Sequence, residues 1–198
     1  MKTIKILDRE YPVNVEGIDL SYTKVKDISV LKECKELKVL SLFNTGIKDI
    51  SVLRECKELK ELDLSYTEIK DVSVLKECKK LEVLNLSHTR IKDFSVLKEC
   101  KELKELDLSS QGLTAIPKEV NQLVNLEYLS FYDNQIAKIE NIENLKNLKN
   151  LNLSSNDITR LGDLSLLKNL KDLDIANNPI FREIEHLELE GVEVCIKM

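Results

Sequence analysis

The feature that most restricts the fold of this chain is a segment that returns at a nearly constant interval. The run Ser-Val-Leu-Lys-Glu-Cys, once with Arg in place of Lys, occurs four times. The leucines that open equivalent segments are Leu37, Leu59, Leu81, Leu103, Leu126, Leu148 and Leu170. The step from each to the next is constant, except that the step before Leu126 is one residue longer. A period of this length predicts a solenoid, in which each repeat forms one coil that stacks on its neighbours.

Each repeat contains a pattern typical of a short strand followed by a tight return. The leucines that end the motif L-x-x-L-x-L, such as Leu62 and Leu64, lie two residues apart, which is the spacing of one strand face. In the return segment Ile69, Val72 and Leu75 lie three apart, which favours a short 3₁₀-like turn against the same core. The pattern therefore predicts stacked parallel strands joined by short turns.

Two polar positions recur beside the leucines. Ser73 precedes the return segment and is expected to cap its first turn, as are Ser29, Ser51 and Ser95. A polar side chain also follows each strand, where we expect it to satisfy backbone groups that the corner leaves unpaired. These corner residues are Thr23, Thr45, Thr67, Thr89, Gln111, Asn134, Asn156 and Asn178.

The combined pattern L-x-x-L-x-L-x-x-(N/T)-x-I-x-D-(I/V)-S-x-L resembles the leucine-rich repeat over about seven full repeats and a partial eighth. The resemblance implies an α/β fold, a leucine-rich repeat solenoid curved as a horseshoe. Its parallel β-sheet would line the concave face, with short helical or 3₁₀ turns on the convex face. The 22-residue period is similar to that of the subclass found in the nuclear regulatory subunit of protein phosphatase 1 and in bacterial internalins. One repeat, with Leu113-Thr-Ala-Ile-Pro117, resembles a longer 23-residue subclass.

We expect a single leucine-rich repeat domain over residues 1–198, closed by a cap at each end. Its expected parts are an N-terminal cap at 1–14, about seven and a half repeats over 15–178 and a C-terminal cap at 179–198. The segment from Thr3 to Val13 is expected to form a hairpin with its turn at Asp8-Arg9. At the other end, the alternating segment from Gly191 to Ile196 is expected to add a strand that covers the sheet edge.

The charge balance argues against a protein that binds nucleic acid or anionic membranes. The chain has 30 Lys and Arg against 35 Asp and Glu, a net charge of −5, and the two signs alternate. No segment approaches the roughly 20 apolar residues of a spanning helix, and no signal peptide is evident. We therefore expect a monomeric, cytoplasmic protein without nucleic-acid or membrane contacts, in which the sequons at Asn85 and Asn152 stay unmodified.

Four of the five cysteines share one repeat position: Cys34, Cys56, Cys78 and Cys100. Later repeats fill this position with leucine, which identifies it as a core position. Stacked equivalents also point in the same direction, which is poor geometry for a disulfide. We expect buried free thiols rather than a metal site or a redox pair, as suits a reducing compartment. Cys195 is expected to be structural as well.

No constellation for catalysis is evident. His88 and His186 lie far apart in coil order, and no metalloprotease, phosphate-binding or nucleophile-elbow motif occurs. The carboxylates Glu61 and Asp63 share an outer strand face, but an open face offers no pocket to separate their pKa values as a glycosidase requires. We therefore expect no enzymatic activity and no cofactor; a glycosidase-like or other enzyme is kept as an alternative.

The strand residues that face away from the leucines form a common surface, on which the family resemblance places partner binding. No Lys or Arg occupies an outward position, whereas several acidic and aromatic residues do. Exposed aromatic residues flanked by charge are typical anchors of protein interfaces. The expected contact residues are Tyr22, Val39, Phe43, Glu61, Asp63, Tyr66, Val83, His88, Glu105, Asp107, Tyr128 and Tyr132.

From this surface we expect a non-catalytic protein–protein interaction module that serves as a scaffold or regulatory subunit. Its partner would be a protein with a basic contact surface. The resemblance to internalins leaves an extracellular adhesion or host-recognition role as the alternative. A second candidate contact surface is a lysine-rich rim just past the corners, formed by Lys26, Lys48, Lys70 and Lys92.

Overall fold

The computed structural model describes residues 2–180 and 192–195 of the chain. The chain divides into two compact units, Met1–Leu103 and Lys104–Met198, which are described in turn. The prediction of one domain with a cap at each end stays a prediction. His186, Gly191 and Ile196 lie outside the described residues.

The first unit begins with an antiparallel hairpin, as predicted. Its strands are β1 (Thr3–Ile6) and β2 (Arg9–Pro12), and alternate residues of β1 are buried. The turn is Leu7-Asp8 rather than Asp8-Arg9, because Ile6 pairs with Arg9 across the ladder. The prediction of the hairpin is confirmed, and its turn was placed one residue too late.

Four parallel strands follow in sequence order in the first unit. They are β3 (Gly17–Asp19), β4 (Val39–Ser41), β5 (Glu61–Asp63) and β6 (Val83–Asn85). Each strand residue pairs with its equivalent in the next repeat, so that Leu40, Leu62 and Leu84 form one buried row. A three-residue strand has one inward side chain here, and only stacking of the coils covers it.

The return segments of the first unit are 3₁₀ turns, as the three-residue spacing predicts. They are η1 (Ser29–Glu33), η2 (Ser51–Glu55), η3 (Ser73–Glu77) and η4 (Ser95–Glu99). Ile69, Val72 and Leu75 are all buried, which confirms that the return segment packs against the same core as the strand.

The prediction that serine side chains cap these turns is wrong. The backbone N–H of Ser73 instead donates to Oδ1 of Asp71 at 2.8 Å, and no serine side chain makes a cap bond. Equivalent bonds join Ser29 to Asp27, Ser51 to Asp49 and Ser95 to Asp93. The aspartate two residues earlier is the capping group, because its short side chain folds back onto the amide in an Asx turn.

These caps predict a dependence of stability on acid. The pKa values of Asp27, Asp71 and Asp93 lie below their ordinary value of 3.8, chiefly because each carboxylate accepts the serine N–H. A group whose pKa falls on folding stabilises the fold above its unfolded pKa, and that contribution is lost as pH falls through the folded pKa. We expect the variant D27N/D71N/D93N to lose less stability than the wild type as the pH falls below about 4.

Urea unfolding followed by circular dichroism at several pH values measures this difference. The control D8N/E36Q/E61Q removes the same charge from side chains that accept no backbone N–H within residues 2–180. The stability of this control is expected to fall with decreasing pH as steeply as that of the wild type. An equally steep decline in the capping variant would show that the caps do not contribute.

The described residues of the second unit, 104–180 and 192–195, contain five parallel strands in sequence order. They are β7 (Glu105–Asp107), β8 (Tyr128–Ser130), β9 (Asn150–Asn152), β10 (Asp172–Asp174) and β11 (Glu193–Cys195). One 3₁₀ turn, η5 (Lys118–Gln122), returns the first of its coils. The strand predicted between Gly191 and Ile196 is present as β11, which pairs in parallel with β10.

The cysteine ladder lies in the core of the first unit, as predicted. Cys34, Cys56, Cys78 and Cys100 are buried free thiols. Burial raises the pKa of Cys56 to about 12 and that of Cys78 to about 11, so the groups stay protonated. The Cys78 Sγ lies 3.6 Å from the carbonyl oxygen of Leu53 in the preceding coil, where it serves as a weak donor. Cys195 is a half-buried free thiol.

The corner residues satisfy backbone groups, as predicted, but in two different ways. In the first unit the Thr67 hydroxyl donates to the carbonyl of Leu64 within its own coil, at 2.6 Å. In the second unit Asn156 Nδ2 donates to its own coil and also to the carbonyl of Phe131 in the preceding coil, at 2.9 Å. Its Oδ1 accepts the Ile136 N–H at 3.0 Å. Asparagine therefore ties neighbouring coils together, whereas threonine stabilises one corner.

Candidate partner-binding surface

The outward strand side chains of the first unit carry the residues predicted from the sequence. Tyr22 is 73% exposed, Tyr66 48% and Val39 39%, and Glu61 is also exposed. Asp63 and Val83 are half-buried in their strands. No lysine or arginine lies at an outward position of β3–β6. The surface formed by these strands and the turn residues just after them is called the front face below.

Tyr22, Tyr66 and His88 on the front face all have a left-handed backbone conformation. The residue three positions after each strand has a left-handed backbone, with φ of 58° at Tyr22, 51° at Asn44, 55° at Tyr66 and 51° at His88. Its N–H continues the ladder to the next coil; Tyr66 donates to the Ser87 carbonyl at 3.0 Å. Asparagine enters this region readily, whereas a bulky residue there costs roughly 1–2 kcal/mol.

The equivalent left-handed positions of the second unit are Ser110, Asp133, Ser155 and Asn177. The fold therefore accepts small polar residues at this position and does not require an aromatic ring. Strain at a residue that the fold could avoid points to a role outside folding.

The rings of the front face form a continuous row, called the aromatic row. Phe43 lies edge-on between Tyr22 and Tyr66, with ring centroids 4.8 Å and 5.4 Å away. Tyr66 in turn stacks on His88 with centroids 3.9 Å apart and ring planes inclined by 22°. Phe43 is one register position away from the tyrosines and is half-buried, so that it supports the exposed rings on either side.

Among the acidic residues of the front face, Asp63 uses one carboxylate oxygen to close a turn, and other carboxylate oxygens have no partner within the described residues. Oδ1 of Asp63 accepts the Ser65 N–H at 2.8 Å and its hydroxyl at 2.5 Å, which closes the turn after the strand. Asn85 accepts the Ser87 N–H in the same way, so the turn needs an oxygen and not a charge. Oδ2 of Asp63 and both carboxylate oxygens of Glu61 have no partner within the described residues.

The second unit presents the remaining predicted contact residues without a row of rings. Tyr128 and Tyr132 are 37% and 45% exposed, and Glu105 is exposed while Asp107 is half-buried. Burial raises the pKa of Tyr128. The described residues of this unit contain no contact between aromatic rings.

Other kinds of site find little support in the structure. A groove of about 470 Å³ lies between η2 and η3 and another of about 530 Å³ between η3 and η4, and no strand residue lines either of them. Across residues 2–180 and 192–195, no cluster of three or more His, Cys, Asp or Glu side chains could hold a metal ion. The same residues contain no helix with the length and apolar character needed to cross a membrane.

Sequence reasoning missed two features of the structure. The aspartate caps follow a D-x-S spacing that occurs twice in a repeat, as in Asp63-Leu64-Ser65 and Asp71-Val72-Ser73. That spacing is a usable signal for Asx turns. The left-handed backbone of Tyr22 and Tyr66 has a weaker signal, the alignment of both tyrosines with Asn44 in the repeat between them.

Three solved structures of bacterial proteins have the same architecture. An internalin, InlF, from Listeria monocytogenes is 26% identical with a TM-score of 0.82, over 93% of this chain and 54% of that one. Internalin C2 from the same organism is 25% identical with a TM-score of 0.83, over 93% of this chain and 82% of that one. A leucine-rich repeat protein of Leptospira interrogans is 30% identical with a TM-score of 0.80, over 91% of this chain and 48% of that one. The chain thus spans about half the length of the first and third proteins.

A comparison with family models gives the same result from sequence alone. A search of the curated proteins found no match. The model described as Leucine Rich repeats (2 copies) matches residues 13–55, 57–99, 124–167 and 146–189, which together make up most of the chain. Proteins built from such repeats generally mediate protein–protein interaction. The stacked coils, the parallel strands and this match agree, and the chain belongs to the leucine-rich repeat family.

Proposed function

We propose that the protein is a non-catalytic interaction module that binds a protein partner with a basic contact surface through its front face. The observation that carries the proposal is the aromatic row, in which Tyr22 and Tyr66 are held exposed on strained backbone. Aromatic side chains exposed in a row, with charge around them, are the anchors that protein interfaces use. Single exposed rings would need no such explanation.

The charge of the front face supports a basic partner. Asp19, Glu61 and Asp63 lie at outward strand positions of this face. No lysine or arginine occupies an outward position of β3–β6. Several lysines elsewhere in the first unit pair with glutamates of neighbouring coils, as in Lys35–Glu55 at 2.6 Å and Lys57–Glu77 at 2.7 Å. Such exposed pairs add little stability but neutralise each other. The carboxylates of Glu61 and Asp63, which form no ion pair within the described residues, would steer a basic surface towards the aromatic row.

The proposal includes a role as scaffold or regulatory subunit, a monomeric state and a cytoplasmic location. The five free thiols support a reducing compartment. The 22-residue register of the strands supports the short repeat subclass shared by the phosphatase regulatory subunit and the internalins. The likeness to two internalin structures favours adhesion or host recognition as the second candidate function. The rim of Lys26, Lys48, Lys70 and Lys92 is exposed and stays a secondary candidate surface.

Affinity capture with a charge-reversed bait tests the proposal. The wild-type protein and the variant Glu61→Lys would be used as baits in a native cytosolic extract, at low and at high salt. Glu61 is exposed and makes no hydrogen bond or ion pair within the described residues, so its reversal leaves the fold intact. We expect a partner that the wild type retains at low salt and that Glu61→Lys loses.

The matched control is Glu36→Lys, which changes the net charge equally at an exposed position outside the strands. It is expected to retain the partner. Loss from both variants would show that net charge alone decides retention. Equal retention by Glu61→Lys and the wild type would move the contact away from the front face, to the lysine rim or the 3₁₀ side.

A further inference from the structure

We propose that the front face recognises arginine in particular, so that its partner presents an arginine-bearing segment rather than any basic surface. This inference rests on the proposed function and specifies the chemistry of the partner. It requires acceptor oxygens that are free and an accessible aromatic ring, at strand positions that carry no lysine or arginine. These conditions occur together in the first unit.

The free acceptors come from carboxylates that the turns use only in part. Oδ1 of Asp19 accepts the Ser21 N–H at 2.8 Å, just as Oδ1 of Asp63 accepts the Ser65 N–H. The hydrogen bonds from the Ser21 hydroxyl and N–H, with a smaller contribution from the charge of Arg9, lower the pKa of Asp19. One oxygen of each aspartate and both oxygens of Glu61 remain without a partner within residues 2–180. They can accept N–H donors from outside the chain.

The accessible ring is that of Tyr22, at one end of the aromatic row. Tyr22 is 73% exposed and touches only the Phe43 ring among the described rings, whereas Tyr66, 48% exposed, has one face stacked on His88. A guanidinium group can lie flat on such a ring and at the same time direct its N–H donors to carboxylate oxygens. The ammonium group of lysine offers a strongly hydrated point charge without the planar fork.

The second unit provides a built-in comparison. It carries acidic residues, Glu105 and Asp107, and exposed tyrosines, Tyr128 and Tyr132, but its described residues contain no row of touching rings. Charge alone would attract lysine and arginine equally. A preference for arginine should therefore depend on the aromatic row of the first unit and not on the tyrosines of the second.

Two synthetic peptides of equal charge serve as probes, acetyl-(Arg-Ser)4-amide and acetyl-(Lys-Ser)4-amide. Their Kd values would be measured by calorimetry at low salt with the full chain. Because the guanidinium can stack flat on a ring while its N–H donors reach carboxylate oxygens, and the ammonium cannot, we expect the arginine peptide to bind about fivefold more tightly. In Tyr22→Asn, which keeps a residue suited to the left-handed backbone, the two Kd values should agree within about twofold. Tyr132→Asn should preserve the preference for the arginine peptide. Glu61→Gln should raise the Kd values of both peptides.

Equal Kd values for the wild type would overturn the inference, as would an arginine preference that survives Tyr22→Asn. Failure of both peptides to bind at millimolar concentration would overturn it as well. The proposed function fails separately. A partner captured through Glu61 and Tyr66 by a segment without arginine would refute this inference and leave the proposed function standing.

Discussion

Replacing Asn156 with Thr is expected to lower the free energy of unfolding by about 2–3 kcal/mol, because two bonds between coils are lost. The Asn156 side chain is 5% exposed and links the Phe131 carbonyl to the Ile136 amide of the preceding coil. Threonine can keep the bond within the coil, as Thr67 does with Leu64. It cannot reach the Ile136 N–H, which would remain buried without an acceptor.

The reciprocal change tests the same account in the first unit. Ile47 is fully buried, and its N–H has no acceptor within residues 2–180. It precedes Thr67 by the same interval in the sequence as Ile136 precedes Asn156. We expect Thr67→Asn to supply the missing acceptor and to raise stability by about 1 kcal/mol, despite the loss of a methyl group.

Urea unfolding curves of Asn156→Thr and Thr67→Asn measure both effects. The control Thr67→Val removes the hydroxyl without adding an acceptor and is expected to lose roughly 1 kcal/mol. An unchanged midpoint for Asn156→Thr would show that water replaces the bonds between coils. Destabilisation by Thr67→Asn would show that the front coils are spaced differently from the later ones.

The apolar pattern could be predicted from the sequence because it depends only on local geometry. Spacings of two and three residues fix which side of a short strand or turn faces the core, and stacking then fixes the sheet. Leu62, Leu64 and Leu75 are accordingly buried where the period places them. Cys78 also follows this logic, since leucine fills its position in later repeats.

The polar positions could be predicted only in part, because each can serve more than one backbone group. In Asp71-Val72-Ser73 both the aspartate and the serine are good capping residues, and the spacing alone does not choose between them. The aspartate is the cap because an oxygen two residues before the amide closes an Asx turn.

The candidate site could likewise be predicted only in part from the repeat pattern. Alternation along the strands placed Glu61 and Tyr66 on the outward surface, where the structure exposes both. The contact of Phe43 with Tyr22 and Tyr66 could not be predicted, because Phe43 is one position out of step with them. Ring contacts across coils depend on side-chain directions, which the period does not specify.

The double variant Tyr22→Asn/Tyr66→Asn is expected to abolish partner binding while the free energy of unfolding changes by no more than about 1 kcal/mol. Each substitution relieves left-handed strain of roughly 1–2 kcal/mol, since asparagine suits this backbone. Each also removes ring contacts with Phe43 or His88, worth about 0.5–1.5 kcal/mol per pair. The relief of strain and the loss of ring contacts nearly cancel in the free energy of unfolding. The loss of the two rings, in contrast, lowers the binding free energy twice.

Removal of an anchor residue costs at least about 2 kcal/mol of binding free energy, so two anchors should lower affinity by more than about 100-fold. Calorimetry with the captured partner and urea unfolding of the same preparations measure the two quantities together. The matched control Tyr132→Asn replaces a tyrosine that lies outside the aromatic row. A fall in stability of several kcal/mol in the double variant would show that the rings hold the coils together. Intact stability with full binding would show that the strain at Tyr22 and Tyr66 serves neither purpose.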